Sequence, residues 1–193
     1  MKHLHSWKLG AIGLLLGGAL LFLSCQKENP VGAKQSGFEN STLAKSDERA
    51  PDVPAILRVS DTCRVAFHVY ARGVQIYTCN GTAWVFKAPD ARLSADAGGN
   101  GVVGKHYAGP TWESVSGSKV VGSRLQGVTV DSTAIPWLLL KAGIKQGPGI
   151  FADVKFIQRV NTTGGLAPTT GCDGSHSGDE AHVPYTAEYY FYR

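Results

Sequence analysis

Side chains alternate with a period of two from Val65 to Ala71: Val65, Phe67, Val69 and Ala71 take one face of an extended chain, and Ala66, His68 and Tyr70 take the other. That alternation suits a strand with one buried face, whereas an amphipathic helix repeats its apolar positions every three or four residues. Strand-like runs recur at 74–79, 82–87, 102–107, 111–115, 119–123, 127–130, 151–160 and 185–192. Asn80-Gly81 between two of these runs is a strong signal for a two-residue hairpin turn, and Ser116-Gly117 is a weaker one. Short strands separated by many of the 24 glycines and 9 prolines predict an all-β fold, a single-domain antiparallel sandwich or barrel. Segment 135–143 fits helix and strand equally, because it is short and carries Pro136.

The first 25 residues read differently. Lys2 and Lys8 precede an apolar run from Leu9 to Leu23, followed by Ser24-Cys25. About fifteen apolar residues are few for a membrane span, which needs about twenty, but they suit the core of a secretory signal. The terminal FLSC resembles a lipobox, with Phe22 standing where Leu is commoner, and no small-x-small cleavage site competes nearby. Residues 1–25 are therefore expected to be a lipoprotein signal peptide ending at a lipidated Cys25. Gln26 follows where Asp would signal inner-membrane retention, so the expected location is the cell envelope, with the lipid anchored in the outer membrane and the domain on its periplasmic or surface face. Residues 26–52 have no apolar period and are rich in Pro, Gly, Ser and charge, as a flexible polar tether would be. Residues 53–193 form the domain, with 13 Lys and Arg against 10 Asp and Glu; this slight, scattered excess argues against a nucleic-acid partner.

With Cys25 lipidated, Cys63, Cys79 and Cys172 remain, an odd number in an oxidising compartment. One disulfide and one free thiol account for them. Spacing alone leaves both Cys79–Cys172 and Cys63–Cys79 open.

Six segments carry a family resemblance: QIYTCNGTAWVFKAPDARL, GKHYAGPTWES with GSKVVG, IPWLLLKA, IQRVNTTGGLAPTTGC and VPYTAEYYFY. In this order, over about residues 53–193, the chain resembles family 3455 of the domains of unknown function, secreted proteins of bacteria and fungi. The resemblance implies no activity, although some fungal members are labelled malate dehydrogenase. It also implies that Cys79 and Cys172, which match the family's recurrent cysteines, form the bridge and leave Cys63 free.

The residues test that label. Gly99-Asn-Gly101-Val-Val-Gly104 matches the dinucleotide fingerprint G-x-G-x-x-G, but the fingerprint requires a helix to follow, and Gly109-Pro110 arrives within five residues. A glycine-rich loop is expected there, with no cofactor and no NAD-dependent malate dehydrogenase activity. The polar loop 171–183 gathers Asp173, His176, Asp179, Glu180 and His182, but their spacing matches no defined metal site. His176, Asp179 and His182 are weak metal candidates in what is expected to be a solvated loop. No G-x-S-x-G elbow is present, and mid-strand His68 reads as a structural histidine.

The strongest cluster is Lys105-His106-Tyr107-Ala-Gly-Pro-Thr-Trp112-Glu113, where the Gly109-Pro110 turn brings His106 back towards Trp112 and Glu113. Gln75 and Tyr77 share the strand face of Cys79, so a bridged Cys79 turns both inward. Gln75, Tyr77, His106, Trp112 and Glu113 are the candidate binding residues. The expected function is a non-catalytic cell-envelope lipoprotein, binding a small molecule or glycan or serving a structural role, with the membrane as partner through its lipid. The alternative is an exported hydrolase or lyase using His106 and Glu113 as acid and base. Replacing Cys25 by Ser is expected to abolish acyl labelling in cells and to release or mislocalise the protein; labelling that survives the substitution would rule out this anchor.

Overall fold

The computed structural model describes residues 49–193, so the expected signal peptide, Cys25 and most of the tether lie outside the described residues. Eight strands follow in chain order: β1 (Val65–Cys79), β2 (Trp84–Ser94), β3 (Val102–Tyr107), β4 (Thr111–Ser114), β5 (Lys119–Val128), β6 (Trp137–Gln146), β7 (Phe156–Gly164) and β8 (Glu180–Tyr192). Each pairs antiparallel with the next, and β8 pairs antiparallel with β1, closing the sheet into a barrel. Of the two all-β forms expected, the barrel is the one adopted.

From Phe67 onward the alternation runs along β1, carrying Phe67, Val69, Ala71, Gln75, Tyr77 and Cys79 into buried positions. A bulge at Ala66 breaks it at the start, so Val65, expected on the face of Phe67, packs on the outer face instead. Gly73 interrupts the side chains for a steric reason: a Cβ there would collide with the Asp90 carbonyl oxygen of β2. Inside the barrel, Phe67, Leu93, Trp112, Val120, Ile157, Tyr189 and Phe191 form the core. Phe67 stacks on Phe191 with ring centroids 4.7 Å apart, and Phe151 packs against both rings, closing the end of the barrel where β1 begins and β8 finishes.

A second apolar cluster lies on the outer face. Val53, Leu57, Val59 and Cys63 pack on Leu139, Val160, Tyr190 and Tyr192, so the segment just before β1 straps the outside of β6, β7 and β8. Gln158 anchors the strap: its amide nitrogen donates to the Leu57 carbonyl at 2.6 Å, and the Tyr192 hydroxyl donates to its amide oxygen.

Several local expectations change. Of segment 135–143, residues 137–143 belong to strand β6, with Ile135 and Pro136 standing just before it. The runs at 119–123 and 127–130 are one strand, β5, which ends at Val128. Strand β7 begins only at Phe156; residues 151–153 are a turn, because Phe151 is used as the barrel's plug rather than as a ladder residue. The first hairpin turn is shifted one residue from Asn80-Gly81: Asn80 N donates to Ala83 O at 3.1 Å, making Gly81 (φ +92°) and Thr82 the central pair.

The disulfide joins Cys79, the last residue of β1, to Cys172 in the β7–β8 connection, and Cys63 is free. A closed loop of 93 residues removes much conformational freedom from the unfolded chain. Cys172→Ser is expected to cost about 2–5 kcal/mol of stability, read as a lower denaturant midpoint. Cys63→Ser should leave the midpoint nearly unchanged, and non-reducing peptide mapping should recover only the Cys79–Cys172 pair.

Candidate functional site

Eight antiparallel strands enclose a space that side chains either fill or leave wide enough for one small ligand. Here the end plugged by Phe151 is filled, and the other half of the barrel keeps a cavity of about 230 Å³. Its wall is built by alternation: Gln75 from β1, Pro89 from β2, His106 from β3, Trp112 from β4, Leu138 and Leu140 from β6, Arg159 from β7 and Tyr189 from β8. Phe86 and Arg124 border it, as does the Gly109-Pro110 turn between β3 and β4. Gly122 of β5 lies under the Trp112 indole, where a Cβ would come within 2.9 Å of the ring.

His106 and Trp112 are cross-strand partners, and their rings stack at 4.3 Å with an interplanar angle of 13°. Tyr189 meets both edge-on, at 5.1 Å from His106 and 5.2 Å from Trp112. The His106 Nδ1 lies 2.9 Å from the Thr111 carbonyl oxygen. A carbonyl only accepts, so Nδ1 carries the proton and Nε2 is left with its lone pair. Burial holds the imidazole far below the ordinary histidine value, at about 3; the Thr111 hydrogen bond opposes this shift and the charge of Arg159 adds to it.

Several buried polar atoms in this half of the barrel have no hydrogen-bond partner: Gln75 Nε2, Trp112 Nε1, and the Tyr185 and Tyr189 hydroxyls. The two hydroxyls lie close enough to influence each other, and Tyr189 also feels the guanidinium of Arg159, but none of these contacts has good hydrogen-bond geometry. Burial raises both phenols above their ordinary value, so they remain protonated donors. A buried polar group without a partner costs about 1–3 kcal/mol, so four such groups near one another call for an explanation.

Of the five candidate binding residues, Gln75, His106 and Trp112 line this one cavity. Tyr77 faces inward beside it, with its hydroxyl donating to the Gly165 carbonyl at 2.6 Å. Glu113 is elsewhere. It follows Trp112 in β4 and so faces out of the barrel, where it accepts from Tyr107 Oη at 2.7 Å and pairs with Lys105 at 3.5 Å and Lys119 at 3.4 Å. The Gly109-Pro110 turn brings the backbones together as expected, but the period of two sends His106 and Glu113 to opposite faces, so the acid–base pair is not formed.

The expected loop 171–183 ends at Asp179, since Glu180 to Val183 open strand β8. Asp173 pairs with His176 at 2.9 Å and Glu180 with His182 at 3.2 Å, while Asp179 joins neither pair. Among the described residues no three metal-ligating side chains gather. In the glycine-rich stretch 99–104, Gly99 to Gly101 form a loop and Val102 to Gly104 open strand β3, so no helix starts there. His68 is buried on the outer face, stacked on Tyr190 with Tyr70 edge-on. The hydrogen-bonded structural histidine expected there is not formed, because neither ring nitrogen has a partner and ring packing alone holds it.

Arg159, Tyr185 and Tyr189 are the residues of this region that sequence reasoning misses. The signal for Arg159 is the alternation of Ile157 and Arg159 against Gln158 and Val160, but both sets mix one apolar with one polar side chain, and only the closed barrel shows which set faces in.

The fold and site define a small antiparallel β-barrel with a cavity at one end lined by both apolar and polar side chains. The family described as Protein of unknown function (DUF3455) matches residues 59–193, and the chain belongs to that family. No curated protein and no solved structure gives a significant match.

The buried His106 has a consequence for pH. Its folded value of about 3 lies below the ordinary 6.5, so as pH falls the unfolded chain takes up this proton first. The contribution to stability is complete above pH 6.5 and is lost progressively down to about 3. In an NMR titration the His106 ring should not titrate between about pH 5 and 8, whereas His176, raised by Asp173, should. A His106 midpoint near the ordinary value would mean that the ring is open to water.

Proposed function

We propose that this protein is a binding module that takes one small molecule into the end of its barrel and is held at the cell envelope by the lipid on Cys25. The observation that carries this reading is a cavity lined by polar Gln75, His106, Trp112 and Arg159 beside apolar surface from Leu138 and Leu140, with two of those lining residues holding buried, unpartnered N–H donors, Gln75 Nε2 and Trp112 Nε1. Binding pockets combine apolar walls with a few placed polar groups in this way, and a ligand that accepts from those donors recovers what their burial costs. The separation of His106 from Glu113 supports binding over acid–base catalysis by that pair.

Leu138 faces the cavity and is only partly buried, so Leu138→Trp fills the space while keeping the strand's apolar character. With wild-type protein, a panel of one- and two-ring compounds should include members that quench tryptophan emission saturably and raise the melting temperature. A compound at a hundred times its Kd stabilises by about 2.7 kcal/mol. Leu138→Trp should fold and lose both effects. If no member of the panel binds, or if the variant binds as well as the wild type, the cavity is not a ligand site.

A further inference from the structure

We infer that the cavity's occupant is a small organic carboxylate, held by the guanidinium of Arg159 with its apolar body against Trp112, Leu138 and Leu140. This inference rests on the binding reading above and names the class of ligand.

Arg159 occupies an inward position of β7, between outward-facing Gln158 and Val160. Among the described residues none of the ion pairs involves it, and no Asp or Glu lines the cavity. Its Nε and Nη2 both donate to the Pro136 carbonyl, at 3.1 and 2.8 Å. That neutral oxygen fixes one edge of the guanidinium and leaves its charge unbalanced. Arg159 is half-buried, so its charge is partly desolvated without a counter-ion, and an anionic ligand supplies the missing charge.

The neighbouring groups agree in sign. Gln75 Nε2 and Trp112 Nε1 are donors without partners and Tyr189 stays a protonated donor, while neutral His106 brings no negative charge to oppose an anion. The field of Arg159 reaches Tyr77, His106, Tyr185 and Tyr189, so its charge acts on the barrel interior as a whole. With Lys87 engaged by Glu180 and Arg124 exposed at the border, Arg159 is the inward cation, which matches a monoanion better than a dianion. The planar guanidinium fork suits a carboxylate.

Apolar walls exclude a bare inorganic anion as the matching ligand, because a small hydrated ion would leave Leu138, Leu140 and the indole face unused. The volume of about 230 Å³ falls below the usual range for drug-sized ligands, so the body is limited to one or two rings or an equivalent short chain. Phe86, 52% exposed, extends the apolar surface at the border of the cavity.

The test is calorimetric titration of the barrel domain in its full chain with 2-naphthoate and with 2-naphthamide, which share a body and differ in charge. Naphthoate is expected to bind at least about tenfold more tightly than naphthamide, a difference of about 1.4 kcal/mol. Arg159→Met should reduce that preference to near unity while naphthamide affinity changes little, and Arg159→Lys, which keeps the charge, should retain part of it. Circular dichroism and the His106 NMR resonances check that each variant keeps the fold; if Arg159→Met does not, the ligand pair on wild-type protein and Arg159→Lys still decide. Equal affinity for the two compounds, or a preference that survives Arg159→Met, overturns the carboxylate assignment and leaves the cavity as a binding site. Failure of both compounds to bind the wild type overturns the carboxylate assignment, and the panel of one- and two-ring compounds then decides separately whether the cavity binds anything.

Discussion

Closure of β1 against β8 is the constraint on which the rest depends. Strand β1, 15 residues long, pairs with β2 on one side and β8 on the other, so it has no free edge. A closed sheet satisfies its backbone groups without exposing an unpaired ladder, and it divides every strand into an inside and an outside set. Eight strands then fix the width of the interior. One half is filled by Phe67, Phe151, Phe191 and Val120; the half bordered by the Gly109-Pro110 turn keeps its space.

The two halves differ in kind. The filled half is aliphatic and aromatic and needs no polar partner. The other half carries His106, Gln75, Trp112 and Tyr189 among apolar side chains, with Arg159 alongside. Such a combination weakens a barrel built only for stability, since each unpartnered donor is a cost that a leucine in its place would remove. Its presence at one end, beside a core that is otherwise apolar and filled, is the physical basis for reading that end as a site.

The outer strap and the disulfide stabilise the barrel from opposite ends of the chain. Val53, Leu57 and Cys63 cover the apolar outer faces of β6 to β8, leaving less exposed apolar surface there. The Cys79–Cys172 bridge ties the long β7–β8 connection to the end of β1, close to the hydrogen bond between Tyr77 and Gly165. Neither lines the cavity: the strap covers the outside of the sheet and the bridge lies beyond its lining.

The sequence by itself determined the all-β character, the inward face of β1 from Phe67 onward and three residues of the cavity. Alternation is a local property: Gln75 follows from counting back from Cys79, and His106 and Trp112 follow from a recognisable Gly-Pro turn. Counting alone does not exclude Glu113, because adjacent residues in sequence are assigned to opposite faces only once the strand and its register are known. Nor does it choose between a sandwich and a barrel, because closure depends on β8 meeting β1 across about a hundred residues of intervening chain. Arg159 shows the limit most directly: in Ile157-Gln-Arg-Val160 both faces carry one polar and one apolar side chain, and only the closed tertiary structure decides that Gln158 ties down the outer strap while Arg159 carries its charge into the barrel.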